Sequence, residues 1–338
     1  MANIDLVSSG IMRSDSGYYI IRQSMPYPLG ETNVYLIESG DGWVVIDVGV
    51  DLESTRLVWE QAVKEVGISF KQIQKIYVTH CHPDHLGAAH WLQQRCDAPV
   101  YMLREEIERA QKYIFLDQNN FKELYRQAIS QEVKINKFPD HKFEELIEDW
   151  YTAVRPLYIE PAEIFPMDVG DEIDLGGNSF AVMLAAGHSD GQCMFWSAQQ
   201  KQLFLADILA AGAYLHFTDW PHTSLQNPLE NLFDLLDQIK SMGVVRSFPG
   251  HGPVIHDLDS QIAKLTLKHQ HILSKVEATV INPISAGELY PHLYQLQEYV
   301  HFHRVVMGET LGYLNYLVSR GRLKKVTDEN KVIYKPSK

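Results

Sequence analysis

Cysteine is scarce in this chain, and neither a long apolar run nor a basic N-terminal segment is present. The three cysteines among 338 residues, Cys81, Cys96 and Cys193, are too few for a disulfide framework, and an odd number leaves one thiol unpaired. No apolar run approaches the roughly 18 to 20 residues that a membrane helix needs. The N-terminus lacks the basic start and apolar stretch of a secretory signal. We therefore expect a cytoplasmic protein with no membrane segment.

Positive charge is also in short supply, since 30 Lys and Arg stand against 43 Asp and Glu, a formal net charge of −13. An acidic surface disfavours nonspecific binding to nucleic acid or anionic membranes. The exception is residues 318–338, where seven Lys or Arg face only two acidic residues. With 45% hydrophobic residues, the composition is that of a globular protein with room for a sizeable core.

Hydrophobic patterning predicts alternating strands and helices over the first three quarters of the chain, which indicates an α/β fold. The first part is predicted to form strands at 17–23, 33–39, 42–49 and 75–80 and a helix at 51–66. The second part is predicted to form strands within 170–187, 194–197, 202–207 and 244–250 and a helix at 228–241. Between them, residues 104–160 carry helical stripes among many charges, which predicts a helical insertion.

The strand pattern stops after residue 257. Helices are predicted at 260–280, 286–296 and 305–319, followed by a basic hairpin that turns at 327–330. Three helices and a hairpin are typical of a winged helix. We therefore divide the chain into a large domain, 1–257, and a small winged-helix-like domain, 258–338.

Metal-ligating residue types are concentrated in the segment THCHPDH, where a predicted strand ends and a helix begins. This segment contains His80, His82, Asp84 and His85. Imidazole is a frequent ligand of zinc-like metals, and a carboxylate adds compensating charge. Three histidines and an aspartate in this spacing indicate a metal site rather than chance exposure on a loop.

Three more potential ligands follow predicted apolar strands downstream: His188 in AAGHSDG, Asp207 in LFLAD and His251 in FPGHG. Glycines beside the two histidines permit tight turns and a close backbone approach. Cys81 lies between two histidines, but we interpret it and Cys193 as packing residues rather than ligands. Seven potential ligands at strand ends are what a site for two metals requires.

This series of motifs resembles the metallo-β-lactamase superfamily, in its lactamase-B2-like and hydroxyacylglutathione-hydrolase-like branch. The HxHxDH motif, a single histidine, an aspartate and a last histidine occur in the family's order, and VIDVG matches its first motif, over about residues 28–256. The resemblance implies an αββα sandwich with metals at one sheet edge. One metal would be held by His80, His82 and His188. The other would be held by Asp84, His85 and His251, with Asp207 bridging the two.

The resemblance also implies a chemistry. A hydroxide between two divalent metals, zinc by default with manganese or iron as alternatives, would be the nucleophile. Asp84 could also orient this hydroxide. Asp47, in VIDVG, is expected to fix a ligand imidazole through its ring N–H.

The leading hypothesis is a dinuclear metal hydrolase that acts on a small ester-like substrate, a thioester or a lactone. Aromatic residues of the insertion would cover an acyl portion of the substrate as a lid, or else bury the insertion on the sandwich. They are Tyr113, Phe115, Phe121 and Tyr125. A second aromatic segment either lines the same pocket or packs on the insertion. It contains Tyr214, His216, Asp219, Trp220 and His222.

Two other functions stay open. A metal-dependent ribonuclease or phosphodiesterase is favoured by the basic hairpin around Lys324 and Lys325, although winged helices also serve as dimerisation modules, which would give a homodimer. A mononuclear iron persulfide dioxygenase has a similar motif, but the intact His85 and His251 argue against it. A regulator without catalysis is disfavoured by the complete ligand set, and an exported β-lactamase by the missing signal.

Overall fold

The computed structural model describes residues 5–8, 10–25, 30–116, 118–138, 162–212, 215–218, 220, 222–295, 300–328 and 331–337. These residues form two mixed β-sheets, a C-terminal hairpin and helices that cover both sheets. No helix among the described residues is long and apolar enough to cross a membrane.

The larger sheet has eight strands in sequential order. They are β1 (Asp5–Ser8), β2 (Ile11–Arg13), β3 (Tyr19–Ser24), β4 (Glu31–Ser39), β5 (Gly42–Ile46), β6 (Ile73–Tyr77), β7 (Val100–Leu103) and β8 (Ile164–Met167). Strands β1 to β5 are antiparallel, whereas β5 to β8 are parallel. Ser39 pairs with Gly42 across the predicted hairpin turn, and Gly40 supplies the positive φ of that turn.

The second sheet has five strands in the order β13-β12-β11-β10-β9. They are β9 (Glu172–Asp174), β10 (Ser179–Leu184), β11 (Cys193–Ser197), β12 (Gln202–Ala206) and β13 (Arg246–Pro249). Only β12 and β13 are parallel, and the helix Pro228–Ser241 lies between them in sequence. This helix has the bounds that the sequence predicts, because Pro228 begins it and Asn227 caps its N-terminus.

The two sheets face one another, and a helical layer covers the outer face of each. Aromatic and branched side chains from both sheets share one cluster, which includes Tyr35, Tyr77, Phe195, Phe204 and Phe248. On the outer face of the larger sheet, the helices Glu53–Val66 and Ala89–Cys96 pack over a second cluster. The predicted αββα sandwich is therefore confirmed. The strands that form its interior faces read as near-continuous apolar runs in the sequence.

The insertion connects the parallel strands β7 and β8. Its described part contains the helix Arg104–Arg109, a π-helical turn at Ala110–Ile114 and the helix Gln118–Asn136, as the predicted helical insertion requires. Residues 139–161 lie outside the described part of the chain.

The C-terminal region has the predicted order of three helices and a hairpin. The helices are Leu258–Thr279, Ala286–Leu293 and Val300–Ser319, and the hairpin pairs β14 (Leu323–Asp328) with β15 (Lys331–Pro336). Leu273 and Leu311 of these helices share one apolar cluster with Leu232 of the helix Pro228–Ser241 and with Leu205 of β12. The winged-helix assignment and the boundary between 257 and 258 stay predictions.

Candidate dinuclear metal centre

The potential ligands lie where strands of both sheets end. Strands β5 and β6 of one sheet and β12 and β13 of the other end at Ile46, Tyr77, Ala206 and Pro249, each within four residues of a site residue. Because the carboxyl ends of parallel strands point to the same edge, the loops that follow converge there. Two backbone hydrogen bonds join the sheets at this edge, from Asn33 N–H to Gly250 O at 2.7 Å and from Cys193 N–H to Thr79 O at 3.0 Å.

Three histidines form the first group of potential ligands, called here the three-histidine group: His80, His82 and His188. Nδ1 of His82 lies 3.0 Å from Nε2 of His80 and 2.9 Å from Nε2 of His188. Three buried ring nitrogens thus converge on one point. Ligands bound tetrahedrally at about 2.0 to 2.1 Å from a zinc ion would lie about 3.3 Å apart, which is close to this spacing.

Two carboxylates and two histidines form the second group, called here the carboxylate group: Asp84, His85, Asp207 and His251. Oδ2 of Asp84 lies 3.3 Å from Nε2 of His85 and 3.2 Å from Nε2 of His251. Thr32, on β4, donates its hydroxyl to the same Oδ2 at 3.0 Å. All four side chains of this group are buried.

Asp207 lies between the two groups. Its Oδ2 is 3.2 Å from Nε2 of His251 and 3.4 Å from Nε2 of His188, which belongs to the other group. One carboxylate oxygen therefore faces both candidate metal positions, as a bridging ligand would.

The second nitrogen of four of the five imidazoles has a defined partner, which orients the ring. Nδ1 of His188 lies 2.9 Å from the carbonyl of His216, and Nδ1 of His251 lies 2.9 Å from the carbonyl of Glu31. Because a carbonyl only accepts, both rings carry their proton on Nδ1 and present Nε2 to the centre.

Asp47 orients rings in both groups. Its Oδ2 lies 2.8 Å from Nδ1 of His85, while Thr79 donates its backbone N–H at 2.8 Å and its hydroxyl at 3.0 Å to the same carboxylate. The Thr79 oxygen in turn lies 3.0 Å from Nδ1 of His80. Since the hydroxyl proton is directed at Asp47, Nδ1 of His80 is the donor and its Nε2 is left to bind a metal.

The residues present fit a pair of metal ions. Oδ1 of Asp207 is buried and has no hydrogen-bond partner in the described chain, although buried polar atoms are nearly always satisfied. Nε2 of His85 makes no hydrogen bond there either and has only carboxylate oxygens of Asp84 and Asp207 near it, at 3.3 and 3.5 Å. Five imidazoles and two carboxylates are a donor set that zinc, manganese or iron accepts. A bound cation would satisfy both atoms and offset the buried negative charge.

The two groups differ in protonation. Burial, together with the neighbouring imidazoles, lowers the pKa of His80 well below its usual value and that of His188 to about 4. Burial also favours the neutral form of His251, but Asp207 and Asp84 outweigh it and raise the pKa of His251 to about 10. His80 and His188 are therefore already in the neutral form that binds metal, whereas a metal in the carboxylate group displaces the His251 proton.

Gly250 allows the loop after β13 to approach the centre. A Cβ at this position would clash with Oδ1 of Asp207 and would lie 2.9 Å from Cε1 of His85. The requirement here is for space, because any larger residue would displace two potential ligands.

The other residues that the sequence indicates as candidates lie either in the apolar clusters or beside the site. Cys81 and Cys193 are buried in the apolar clusters, as predicted. His216 stacks on His188 with ring centroids 4.2 Å apart, so it lines the site. Trp220 and His222 are buried, with Trp220 in the cluster beneath the C-terminal helices and His222 against Tyr113. Tyr214 and Asp219 lie outside the described residues.

Only part of the lid hypothesis falls on described side chains. Phe115 packs against the cluster of the larger sheet, which is the burial alternative for that residue. The side chains of Phe121 and Tyr125 lie outside the described part, so for them the lid stays a prediction.

Sequence reasoning missed two contributors to this region. Glu106, in the insertion, accepts hydrogen bonds from the loops that carry His82 and His188. His269 is buried and lines a pocket together with His188 and Asp207. Neither has a local motif, and only the fold brings them to the site.

Comparison with known proteins agrees with this geometry. The model of the metallo-beta-lactamase superfamily matches residues 27–251. The beta-lactamase-like protein 2 homolog of Caenorhabditis elegans is 23% identical over 264 residues, 78% of this chain and 68% of that protein. The acyl-coenzyme A thioesterase MBLAC2 of Homo sapiens is 23% identical over 243 residues, 70% of this chain and 78% of that protein.

Two solved structures share the fold over almost the whole chain. A metallo-beta-lactamase family protein from Thermus thermophilus has a TM-score of 0.78 at 25% identity and covers 95% of this chain and 99% of its own. A beta-lactamase domain protein from Burkholderia ambifaria has a TM-score of 0.81 at 23% identity, over 98% and 96% respectively. The fold, the order of the motifs and the matching family model lead to one conclusion: the chain belongs to the metallo-beta-lactamase superfamily.

Proposed function

We propose that this protein is a dinuclear metal hydrolase whose substrate is a thioester with an apolar acyl group. The family and the thioesterases among the relatives make the chain an enzyme of the hydrolase class. The choice of a thioester over other ester-like bonds follows the thioesterases among the relatives. The apolar acyl group rests on a pocket that adjoins the candidate metal centre.

The pocket is the observation that carries the proposal. It is a narrow, partly open cleft that His188 and Asp207 line. Its other walls are mainly apolar. They include Ile208, Leu215, Phe217, Leu232 and Leu265. An apolar pocket beside buried ligands favours a substrate that places a hydrocarbon there and a reactive carbonyl at the metals.

The chain's residues have defined parts in this reaction. His80, His82 and His188 would hold one metal, and Asp84, His85 and His251 the other, with Asp207 between them. When bound, the metals would supply a water that is acidic near neutral pH and would polarise the thioester carbonyl. Asp84, fixed by Thr32 and close to His251, would orient that water. Asp47 and Thr79 hold the rings in place.

The alternative functions would each require other features of the structure. A persulfide dioxygenase with a single iron would leave His85 and His251 without a role. A ribonuclease needs a basic path for the phosphate backbone. Lys324 and Lys325 are exposed on β14, in the C-terminal hairpin, and no contact in the described chain links them to the metal centre.

The test is a substrate panel assayed with metal-loaded and chelator-treated protein. It should include acyl-coenzyme A thioesters of increasing chain length, lactones, a phosphodiester and RNA. We expect thioester hydrolysis that is lost with the metal and restored by adding it back. Cleavage of RNA or of the phosphodiester without thioester turnover would contradict the proposal, as would thioester hydrolysis that survives full removal of metal.

A further inference from the structure

Glu106 is a fully buried carboxylate that joins two loops of the candidate centre. It lies on the helix Arg104–Arg109, at the start of the insertion, and its exposed fraction is 0%. Its Oε2 accepts the backbone N–H of Cys81 at 2.8 Å. Its Oε1 accepts the hydroxyl of Ser189 at 2.5 Å and the backbone N–H of Gly191 at 2.8 Å.

These contacts bracket the three-histidine group. Cys81 lies between His80 and His82, and Ser189 follows His188 directly. The two loops come from different sheets, after β6 and after β10, and Glu106 belongs to neither. One side chain from the insertion thus fixes both segments from which this group's three imidazoles project.

The approach of the second loop to the helix depends on Gly191. A Cβ at position 191 would lie 2.7 Å from Cβ of Glu105 and 3.1 Å from Cγ of Glu106. Real Cβ atoms essentially never come as close as the first of these distances, so a larger residue would push the loop away from the carboxylate.

In the described part of the chain, no cationic side chain forms an ion pair with the Glu106 carboxylate. Among the residues that the structure describes, its three donors are two amides and a hydroxyl, all neutral. A buried carboxylate without a counter-ion is costly even when it is hydrogen-bonded. A divalent cation bound to the three-histidine group would supply the positive charge that Glu106 lacks. The three-histidine group contains no carboxylate, so this cation would need a negative charge from outside the group. Such a cation would find its compensation in Asp207 and, one layer further out, in Glu106.

We propose that Glu106 is a positioning residue that sets the metal affinity of the three-histidine group, by clamping its two loops and by placing a negative charge behind it. The inference rests on the proposed two-metal centre. It extends that proposal by giving the helical insertion a part in metal binding.

The experiment measures the two metal positions separately. In a His251→Ala background, Zn²⁺ titration against a competing chelator reports mainly the three-histidine group. In a His82→Ala background, it reports mainly the carboxylate group. Glu106→Gln, which keeps the size of the side chain but removes its charge and one acceptor, is then added to each. Loss of an outer hydrogen-bond partner typically weakens metal binding by about 10- to 100-fold. We expect a weakening of this order in the first background and less than about threefold in the second.

Glu105→Gln is the matched control, since Glu105 is the exposed neighbour on the same helix. Ser189→Ala removes one clamp contact without touching the charge, so it gives a second reading if Glu106→Gln folds poorly. Unchanged Zn²⁺ affinity in both Glu106→Gln and Ser189→Ala would overturn the inference, and so would an equal weakening in the two backgrounds. If the parent protein itself binds no metal, the proposed centre fails instead, which is a distinguishable result.

Discussion

Oδ2 of Asp47 lies 2.8 Å from Nδ1 of His85, and the backbone of Asp47 is left-handed, with φ at 60°. A positive φ is uncommon outside glycine, although aspartate tolerates it better than most residues. This strained position directs one carboxylate to both groups of potential ligands, to His85 directly and to His80 through Thr79. Asp47 is therefore the point from which the two halves of the centre are aligned.

This relay predicts a selective effect of Thr79→Val. The substitution keeps the shape of the side chain but removes the hydroxyl between Asp47 and His80, while the contact of Asp47 with His85 remains. We expect metal binding at the three-histidine group to weaken by about 10-fold or more, because the His80 ring loses its fixed tautomer. Chelator-competition titration measures this, and Thr79→Ser should retain most of the affinity. Equal binding by the valine and serine variants would argue against the relay.

Asp47→Ala should weaken metal binding in both groups, since it removes the acceptor on which both rings depend. The matched control is Asp51→Ala, four residues along the same loop, where a buried carboxylate pairs with Arg56 at 2.6 Å rather than with a ligand. Both variants lose a buried acidic residue, so a general loss of stability would affect them alike. Mass spectrometry should find less metal per chain for Asp47→Ala only.

The space at Gly250 predicts that Gly250→Ala damages the carboxylate group. The added methyl group would push Asp207 or His85 from its position, at a cost of about 1 to 3 kcal/mol in the free energy of unfolding. Gly42→Ala is the control, because the atoms nearest to the new methyl group there belong to the flexible side chain of Gln74. Denaturant unfolding and metal content together measure the effect. Normal metal content in Gly250→Ala would show that the loop accommodates the added methyl group, and it would contradict this prediction.

Much of this centre follows from sequence alone, and the reason lies in its local motifs. His80, His82, Asp84 and His85 are close because they are close in sequence, and the order of His188, Asp207 and His251 matches a known family. The strands β4, β5 and β12 are largely apolar runs of five to nine residues bounded by turns, and these runs identify them.

The parts that sequence did not reveal depend on contacts between distant segments. Strands β2 and β7 have three and four residues, too few for a period to emerge, and pairing with their neighbours in the sheet fixes them. Glu106 lies in a charged helix, where the sequence alone cannot distinguish one buried glutamate from its exposed neighbours. His269 is brought to the pocket only by the packing of its helix on the second sheet.

The pocket predicts a size limit on the acyl group. Leu265→Trp would fill its wall, and even a methylene in such a pocket changes kcat/KM by about 10- to 200-fold. We expect kcat/KM to fall by at least about 10-fold for long-chain acyl-coenzyme A and much less for the acetyl thioester. Leu267→Trp is the control on the same helix, since Leu267 is 64% exposed. A uniform loss at all chain lengths would count against an acyl-binding role.

His269 predicts a sensitivity to acid. Burial, with a smaller effect of Lys268, lowers the pKa of His269 to about 3, whereas the unfolded chain titrates near 6.5. Between these values the unfolded state binds more protons, so the free energy of unfolding falls as pH drops, by up to about 1.4 kcal/mol per pH unit.

The acid effect is measured by comparing denaturant unfolding at pH 7.5 and pH 5. His269→Phe should narrow the difference between the two pH values, even though it loses the 2.7 Å contact with the Tyr313 hydroxyl. His271→Phe, on the exposed side of the same helix, should leave the difference unchanged. The same difference in His269→Phe as in the parent protein would mean that other groups cause the acid sensitivity.

The central claim is that the seven side chains hold two metals and that these metals hydrolyse a thioester. The most direct measurement is metal per chain, by mass spectrometry on protein purified without added metal, with acyl-coenzyme A hydrolysis on the same sample. We predict two metals per chain in the parent protein, and loss of both turnover and at least one metal in Asp207→Ala. A chain that holds one iron and hydrolyses nothing, or that holds no metal at all, would contradict the account.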